Sequence, residues 1–166
     1  MNTQHTHTTT PFSPTQHPIV VICNQVTGPA NIGGLFRICD AFGIERLVFD
    51  HEIDLTSPRL RKTARNTFST VNHSVEEDLP TYIATLKEQG YRAIGLEITS
   101  ESRPIQSLEF EKGEKITLVI GGERLGISES VLNALDDCAH IEMFGANSSM
   151  NVTQATAVAL FELTKT

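Results

Sequence analysis

The sequence predicts an α/β fold, a mostly parallel sheet flanked by helices. Three observations predict it. Short apolar runs alternate with stretches of helical periodicity along most of the chain, the pattern of strand-helix-strand units. The run Ile19-Val20-Val21-Ile22-Cys23 is apolar at every position, the mark of a strand covered on both faces. Gly43 and Gly90 stand where helical stripes end, as helix-closing glycines do.

The elements follow in order. Met1 to His17 are Thr, His, Gln and Pro with little that is apolar, so residues 1–17 are expected to form a disordered tail and residues 18–166 one domain. The tail histidines 5, 7 and 17 read as polar filler. After the first strand comes a turn-rich stretch, then a helix from Ile32 to Phe42. Its stripe is Ile32, Leu35, Phe36, Cys39 and Phe42, with Asn31 as N-cap. Arg46 to Asp50 is the second strand, Arg59 to Arg65 a basic helix and Ser69 to His73 a short strand. Leu79 to Gln89 is a helix and Tyr91 to Glu97 a strand. A strand with its core at Ile116 to Ile120 leads to a helix capped by Ser128 and running through Leu135. Ala139 to Met143 is the last strand, and Asn151 to Leu163 the terminal helix, with Ser148 or Ser149 available as its cap.

Composition narrows the function. The 166 residues are 39% hydrophobic and 20% charged, an ordinary globular balance. No apolar run reaches the roughly 18 residues of a membrane span, and the amino terminus lacks the features of a secretory signal. A net charge of -7 and a pI near 5.3 argue against a general electrostatic nucleic-acid binder, though not against an enzyme with one basic patch. Cys23, Cys39 and Cys138 have neither metal-ligand nor disulfide-scaffold spacing. They read as thiols in a reducing cytoplasm, and no metal site is expected.

Three segments carry chemistry, each at the C-terminal end of an expected strand, where open α/β sheets place ligands. The first is Asn31-Ile32-Gly33-Gly34-Leu35-Phe36-Arg37-Ile38-Cys39-Asp40-Ala41-Phe42-Gly43. Gly33, Gly34, Arg37 and Ala41 share a bare helix face, and two early glycines cost about 1 kcal/mol each relative to Ala. Either a ligand or a packed neighbour must approach there. The second is Leu118-Val119-Ile120-Gly121-Gly122-Glu123-Arg124-Leu125-Gly126-Ile127-Ser128, a buried strand opening into a glycine loop with a carboxylate at its rim. The third runs from Ile141 through Asn147-Ser148-Ser149-Met150-Asn151 into an apolar helix, Ala155 to Phe161. Such a helix is buried, here partly at a subunit interface. A dinucleotide-binding unit is set aside, because Gly28, Gly33 and Gly34 lack the G-x-G-x-x-G spacing.

Together and in this order, the three segments resemble the SpoU family of RNA 2′-O-ribose methyltransferases, within the SPOUT or α/β-knot superfamily. Asn31…Arg37…Ala41-Phe42-Gly43 is similar to the family's first motif, Ile120-Gly121-Gly122-Glu123-x-x-Gly126 to the second, and Ile141-x-Met143…Ser149-Met150-Asn151-Val152 to the third. Glu142 stands where the family usually has Pro, and Met150 where Leu is more usual. The resemblance implies a C-terminal deep trefoil knot and a homodimer. It also implies S-adenosylmethionine as cofactor, held by Gly121, Gly122, Ile141, Ser149, Met150 and Asn151. The reaction it implies is methyl transfer to a ribose 2′-OH, with transfer RNA favoured and ribosomal RNA the alternative. Arg37 becomes the central catalytic residue, with Asn31, Glu123, Ser149 and Asn151 around it. Arg59, Arg61, Lys62 and Arg65 are then the expected RNA-backbone contact, or else a solvated helix face. A non-catalytic RNA-binding protein that keeps the knot is the second class of reading.

Overall fold

The computed structural model describes residues 2–6 and 8–165; Met1, His7 of the tail, and Thr166 lie outside the described residues. The strands are β1 (His17–Asn24), β2 (Ile44–Phe49), β3 (His73–Val75), β4 (Arg92–Leu96), β5 (Arg103–Pro104), β6 (Ile116–Gly121) and β7 (Asp137–His140). They form one sheet in the order β3-β2-β1-β6-β4-β7-β5, and every pairing between them is parallel. The helices are α1 (Pro29–Ala41), α2 (Pro58–Ala64), α3 (Leu79–Glu88), α4 (Glu129–Leu132) and α5 (Val152–Leu163).

The apolar run of β1 is explained by two cores. Ile19, Val21 and Cys23 pack with Leu35 and Phe36 of α1, Leu60 of α2 and Leu160 of α5. Val20 and Ile22 point the other way, into a cluster with Leu79, Ile83 and Leu86 of α3 and Val131 of α4. Successive strand residues face opposite sides, so a strand covered on both must be apolar throughout. The thiols of Cys23 and Cys39 are fully buried, and burial pushes both pKa values up.

The local differences from expectation have local causes. Helix α1 starts at Pro29 with Gly28 as N-cap, three residues before the expected start. Proline suits a first helical position because no N–H is needed there. Asn31 is therefore not a cap, and its side chain is released for other contacts. The strand expected at Ser69–His73 begins only at His73, as β3; residues 69–72 are not extended. Thr67 and Ser69 turn their hydroxyls onto the carbonyls of Ala64 and Asn66, at 2.6 and 2.7 Å, which favours a 3₁₀ turn over extended chain. Helix α4 ends at Leu132 because the Asp136 N–H donates to Ala93 O at 2.8 Å and draws the chain back to the sheet. Strand β7 ends at His140, since β4 stops at Leu96 and pairing with β5 runs only to Pro104. Ile141 and Met143 are thus left in the connection to α5. Asn151, not Ser148 or Ser149, caps α5, its Oδ1 accepting from Thr153 N at 2.9 Å.

Candidate active site

The C-terminal ends of β6, β4 and β7 open into a cleft of about 740 Å³, within the usual range for a small-molecule site. One wall is the loop that follows β6, the floor is the end of β4, and the far wall is the connection from β7 to α5. All six residues expected to hold a cofactor, Gly121, Gly122, Ile141, Ser149, Met150 and Asn151, line this cleft, as does Glu123.

Asn31, Glu123 and Asn151 meet at the edge of the cleft although 120 residues of sequence separate the two asparagines. The Asn31 Nδ2 group donates to Glu123 Oε1 at 2.9 Å. Asn151 Nδ2 reaches Asn31 Oδ1 at 3.0 Å and the same Glu123 oxygen at 3.1 Å. Asn151 is held for this by its own cap bond at the start of α5, and Asn31 by the first turn of α1. Each of the three motifs thus contributes one corner of a polar triangle.

Arg37 stands apart from the triangle. It is exposed on α1, and neither a hydrogen bond nor an ion pair ties it to another described residue. Glu123 accepts from the two asparagines rather than from the guanidinium. Arg37 lies one turn beyond Gly34, on the side of α1 that meets α5. Ser149 is exposed in the cleft wall and outside the triangle.

The glycines answer to the chain's own packing. A Cβ on Gly33 would enter Thr63 and the Leu60 carbonyl of α2, and one on Gly34 would lie 2.8 Å from Thr153 of α5. Gly33 and Gly34 are therefore helix-helix contacts, the first with α2 and the second with α5, while Arg37 and Ala41 of the same expected face are exposed. A Cβ on Gly122 would likewise strike the carbonyl of Gln25.

Helix α2 rests on α1 at Gly33 through buried Leu60 and Ala64, two residues from Asn31. This leaves Arg59, Arg61, Lys62 and Arg65 exposed beside the site. Arg61 is partly committed, its Nε donating to Leu55 O at 2.8 Å and its guanidinium lying 5.5 Å from the Phe68 ring centroid.

Two site residues lie outside the motifs. Asn24, buried at the end of β1, accepts from Ser128 N at 2.7 Å and donates to Asp50 at 3.0 Å. Glu97, just past β4, lines the cleft. Their signal was a polar residue directly after a buried apolar strand. Among the described residues, no three His, Cys, Asp or Glu side chains group as metal ligands do, and no helix is long and apolar enough to cross a membrane.

The donor set suits a nucleoside cofactor with a cationic centre. Leu96, Ile120, Ile141 and Met150 offer apolar walls, the 121–127 loop offers backbone groups, and Glu123 supplies negative charge at the rim.

A parallel sheet with such a cleft at its strand ends defines an α/β protein that binds a small molecule there. The chain belongs to the SpoU rRNA Methylase family, whose model matches residues 18–161. It is 29% identical over 152 residues to the tRNA (guanosine(18)-2′-O)-methyltransferase of Saccharomyces cerevisiae, an alignment covering 90% of this chain and 10% of that protein. It is also 29% identical over 149 residues to the enzyme of that name from Thermus thermophilus, covering 89% of this chain and 74% of the relative. The chain thus spans about a tenth of the yeast relative's length. Among solved structures, the TrmH/SpoU tRNA modifying enzyme of A. aeolicus superposes with a TM-score of 0.81 at 22% identity, over 92% of this chain and 76% of the other. An AdoMet-bound rRNA methyltransferase from Sinorhizobium meliloti superposes with a TM-score of 0.79 at 20% identity, over 91% and 57%. These two likenesses show the fold.

Proposed function

We propose that this chain transfers a methyl group from S-adenosylmethionine to a ribose 2′-OH of RNA, with transfer RNA as the substrate. The observation that carries the reading is the Asn31–Glu123–Asn151 triangle, which joins the three motifs at the rim of the cleft. The yeast and Thermus relatives are named for this reaction on transfer RNA, and a Bacillus subtilis relative for the same reaction on 23S ribosomal RNA, the alternative substrate.

When bound, the cofactor supplies an electrophilic methyl group on a sulfonium. The chain supplies position and charge. Gly121, Gly122, Ile141, Ser149, Met150 and Asn151 hold the donor in the cleft. The triangle fixes the entrance to α1 against the cofactor loop, so that the ribose and the donor meet in a set geometry. Arg37 stabilises the alkoxide that develops on the 2′-oxygen as its proton passes to water, and grips an adjacent phosphate. A guanidinium is a planar cation with N–H donors and no acceptor, which suits it to electrostatic stabilisation and to a bidentate grip on phosphate. Arg59, Lys62 and Arg65, with the free edge of Arg61, meet the RNA backbone.

A homodimer is part of this reading. Val158 and Phe161 of α5 are 41% and 56% exposed, an apolar face suited to a second copy. So are the trefoil knot, with residues 141–163 as the threaded segment, and a cytoplasmic location, in keeping with three free thiols. The test is transfer of tritium from labelled S-adenosylmethionine to bulk transfer RNA and ribosomal RNA. The expected result is label in transfer RNA, as 2′-O-methylribose. No label in either RNA overturns the reading, and label confined to ribosomal RNA moves it to the alternative.

A further inference from the structure

The loop after β6 closes on itself. The Gly126 N–H donates to Gly122 O at 2.9 Å, and Arg124 and exposed Leu125 stand at its tip. Two side chains outside the three motifs fix its ends. On the side away from the cleft, Asn24 accepts from Ser128 N. On the cleft side the anchor is Glu97. Its Oε2 accepts from the part-buried Ile127 N–H at 3.2 Å, and its Oε1 accepts from Ile98 N at 2.9 Å. One carboxylate therefore ties the end of β4 to the returning strand of the loop.

Gly126 is fitted to this carboxylate. Its φ is +64°, a conformation that favours glycine, and a Cβ there would enter Glu97 Oε2. The turn thus lies directly on the carboxylate. If Glu97 is removed, the Ile127 N–H loses a charged acceptor, and a hydrogen bond to a charged group contributes more than a neutral one. Among the described residues no cationic side chain pairs with Glu97, so its structural partners are the two backbone N–H groups.

We propose that Glu97 is a positioning residue for the cofactor, acting by fixing the Gly126–Ile127 turn that walls the cleft. The proposal rests on the methyltransferase reading, because it takes S-adenosylmethionine as the cleft's ligand. The carboxylate sets how well the loop is formed before the cofactor arrives, and a preformed loop spends less binding energy on ordering. The chemical step, assigned to Arg37, is left alone. Glu97 therefore governs cofactor affinity and not the rate at saturation.

The test uses the full chain and three readouts. Amide exchange of residues 122–128 in the free protein reads the loop without any cofactor. Calorimetric titration with S-adenosylmethionine reads affinity, and methyl transfer at saturating cofactor reads the rate. Glu97→Ala is expected to speed exchange at Ile127 and to weaken cofactor binding about tenfold, the loss of one charge-assisted hydrogen bond. The saturated rate should stay within about threefold. Glu97→Gln keeps one acceptor and should fall between, so it serves where the alanine variant does not fold. Gly126→Ala should weaken binding as well, and combined with Glu97→Ala should cost less than the sum, since both act on one contact. Unchanged exchange and affinity in Glu97→Ala would overturn the proposal, as would a loss confined to the saturated rate. A wild-type protein that binds no S-adenosylmethionine would instead overturn the methyltransferase reading, while the exchange data would still judge the clamp.

Discussion

Asn151 does two separable things, and two substitutions separate them. Its Oδ1 caps α5 through Thr153 N, while its Nδ2 group donates to Asn31 and Glu123. Asn151→Ala removes both. Loss of an N-cap costs about 1 kcal/mol. Two exposed hydrogen bonds, one of them to a carboxylate, add about another 1 kcal/mol. For a chain of this size that total of about 2 kcal/mol lowers Tm by roughly 4–8 °C. Asn151→Asp keeps the cap acceptor and reverses the other half. A carboxylate then faces Glu123 Oε1 across the 3.1 Å that Nδ2 now spans. Even at the dielectric of water two unit charges at that separation repel by about 1 kcal/mol, and the triangle opens. The expected outcome is that Asn151→Asp melts closer to wild type than Asn151→Ala does, yet transfers methyl groups no faster. The assays are thermal unfolding by circular dichroism and tritium transfer to transfer RNA. An Asn151→Asp protein with wild-type turnover would show that the triangle is only structural and has no part in methyl transfer.

Other consequences can be checked as directly. Arg37→Ala should lower the saturated methyl-transfer rate by about two to three orders of magnitude, by analogy with a lost oxyanion donor, with Arg37→Lys restoring little and calorimetric cofactor affinity nearly unchanged. Neutralising Arg59, Lys62 and Arg65 together should raise KM for RNA and flatten its dependence on salt, by a slope of roughly 0.7 to 0.9 for each phosphate no longer neutralised. Gly33→Ala should destabilise the fold by about 1–3 kcal/mol in urea titration, because its Cβ enters α2. Asp137 predicts an acid limb. Burial raises its pKa, but hydrogen bonds and charge from Arg92 and Arg103 outweigh this and leave it lowered. A lowered carboxylate favours the folded state above its unfolded pKa of about 3.9, and that stability is lost as pH falls through the folded value. Asp137→Asn should therefore lose stability at neutral pH and show a shallower decline below about pH 4 in pH-dependent unfolding.

The sequence by itself determined the parallel α/β class, because a strand buried on both faces must be apolar at successive positions and β1 is. It determined the family, because the three motifs keep their polar residues and their order. The stripe Ile32, Leu35, Phe36, Cys39 named the buried face of α1, since helical periodicity is a local property. Boundaries were less legible where local chemistry competed, as where the hydroxyls of Thr67 and Ser69 displaced a strand and Pro29 moved a helix start. Only the tertiary structure decided what Gly33 and Gly34 are for. Bare helix backbone invites a ligand or a neighbour equally, and the neighbour, α2 and α5 of the same chain, comes from far along the sequence. Only the tertiary structure brought Asn151 against Asn31 and Glu123, and only it revealed Glu97 and Asn24 as anchors of one loop. A hydrogen bond between residues 104 apart, such as Asn24 to Ser128, leaves no spacing to read. It exists because parallel pairing sets the ends of β1, β6 and β4 side by side, and chain order does not encode that adjacency.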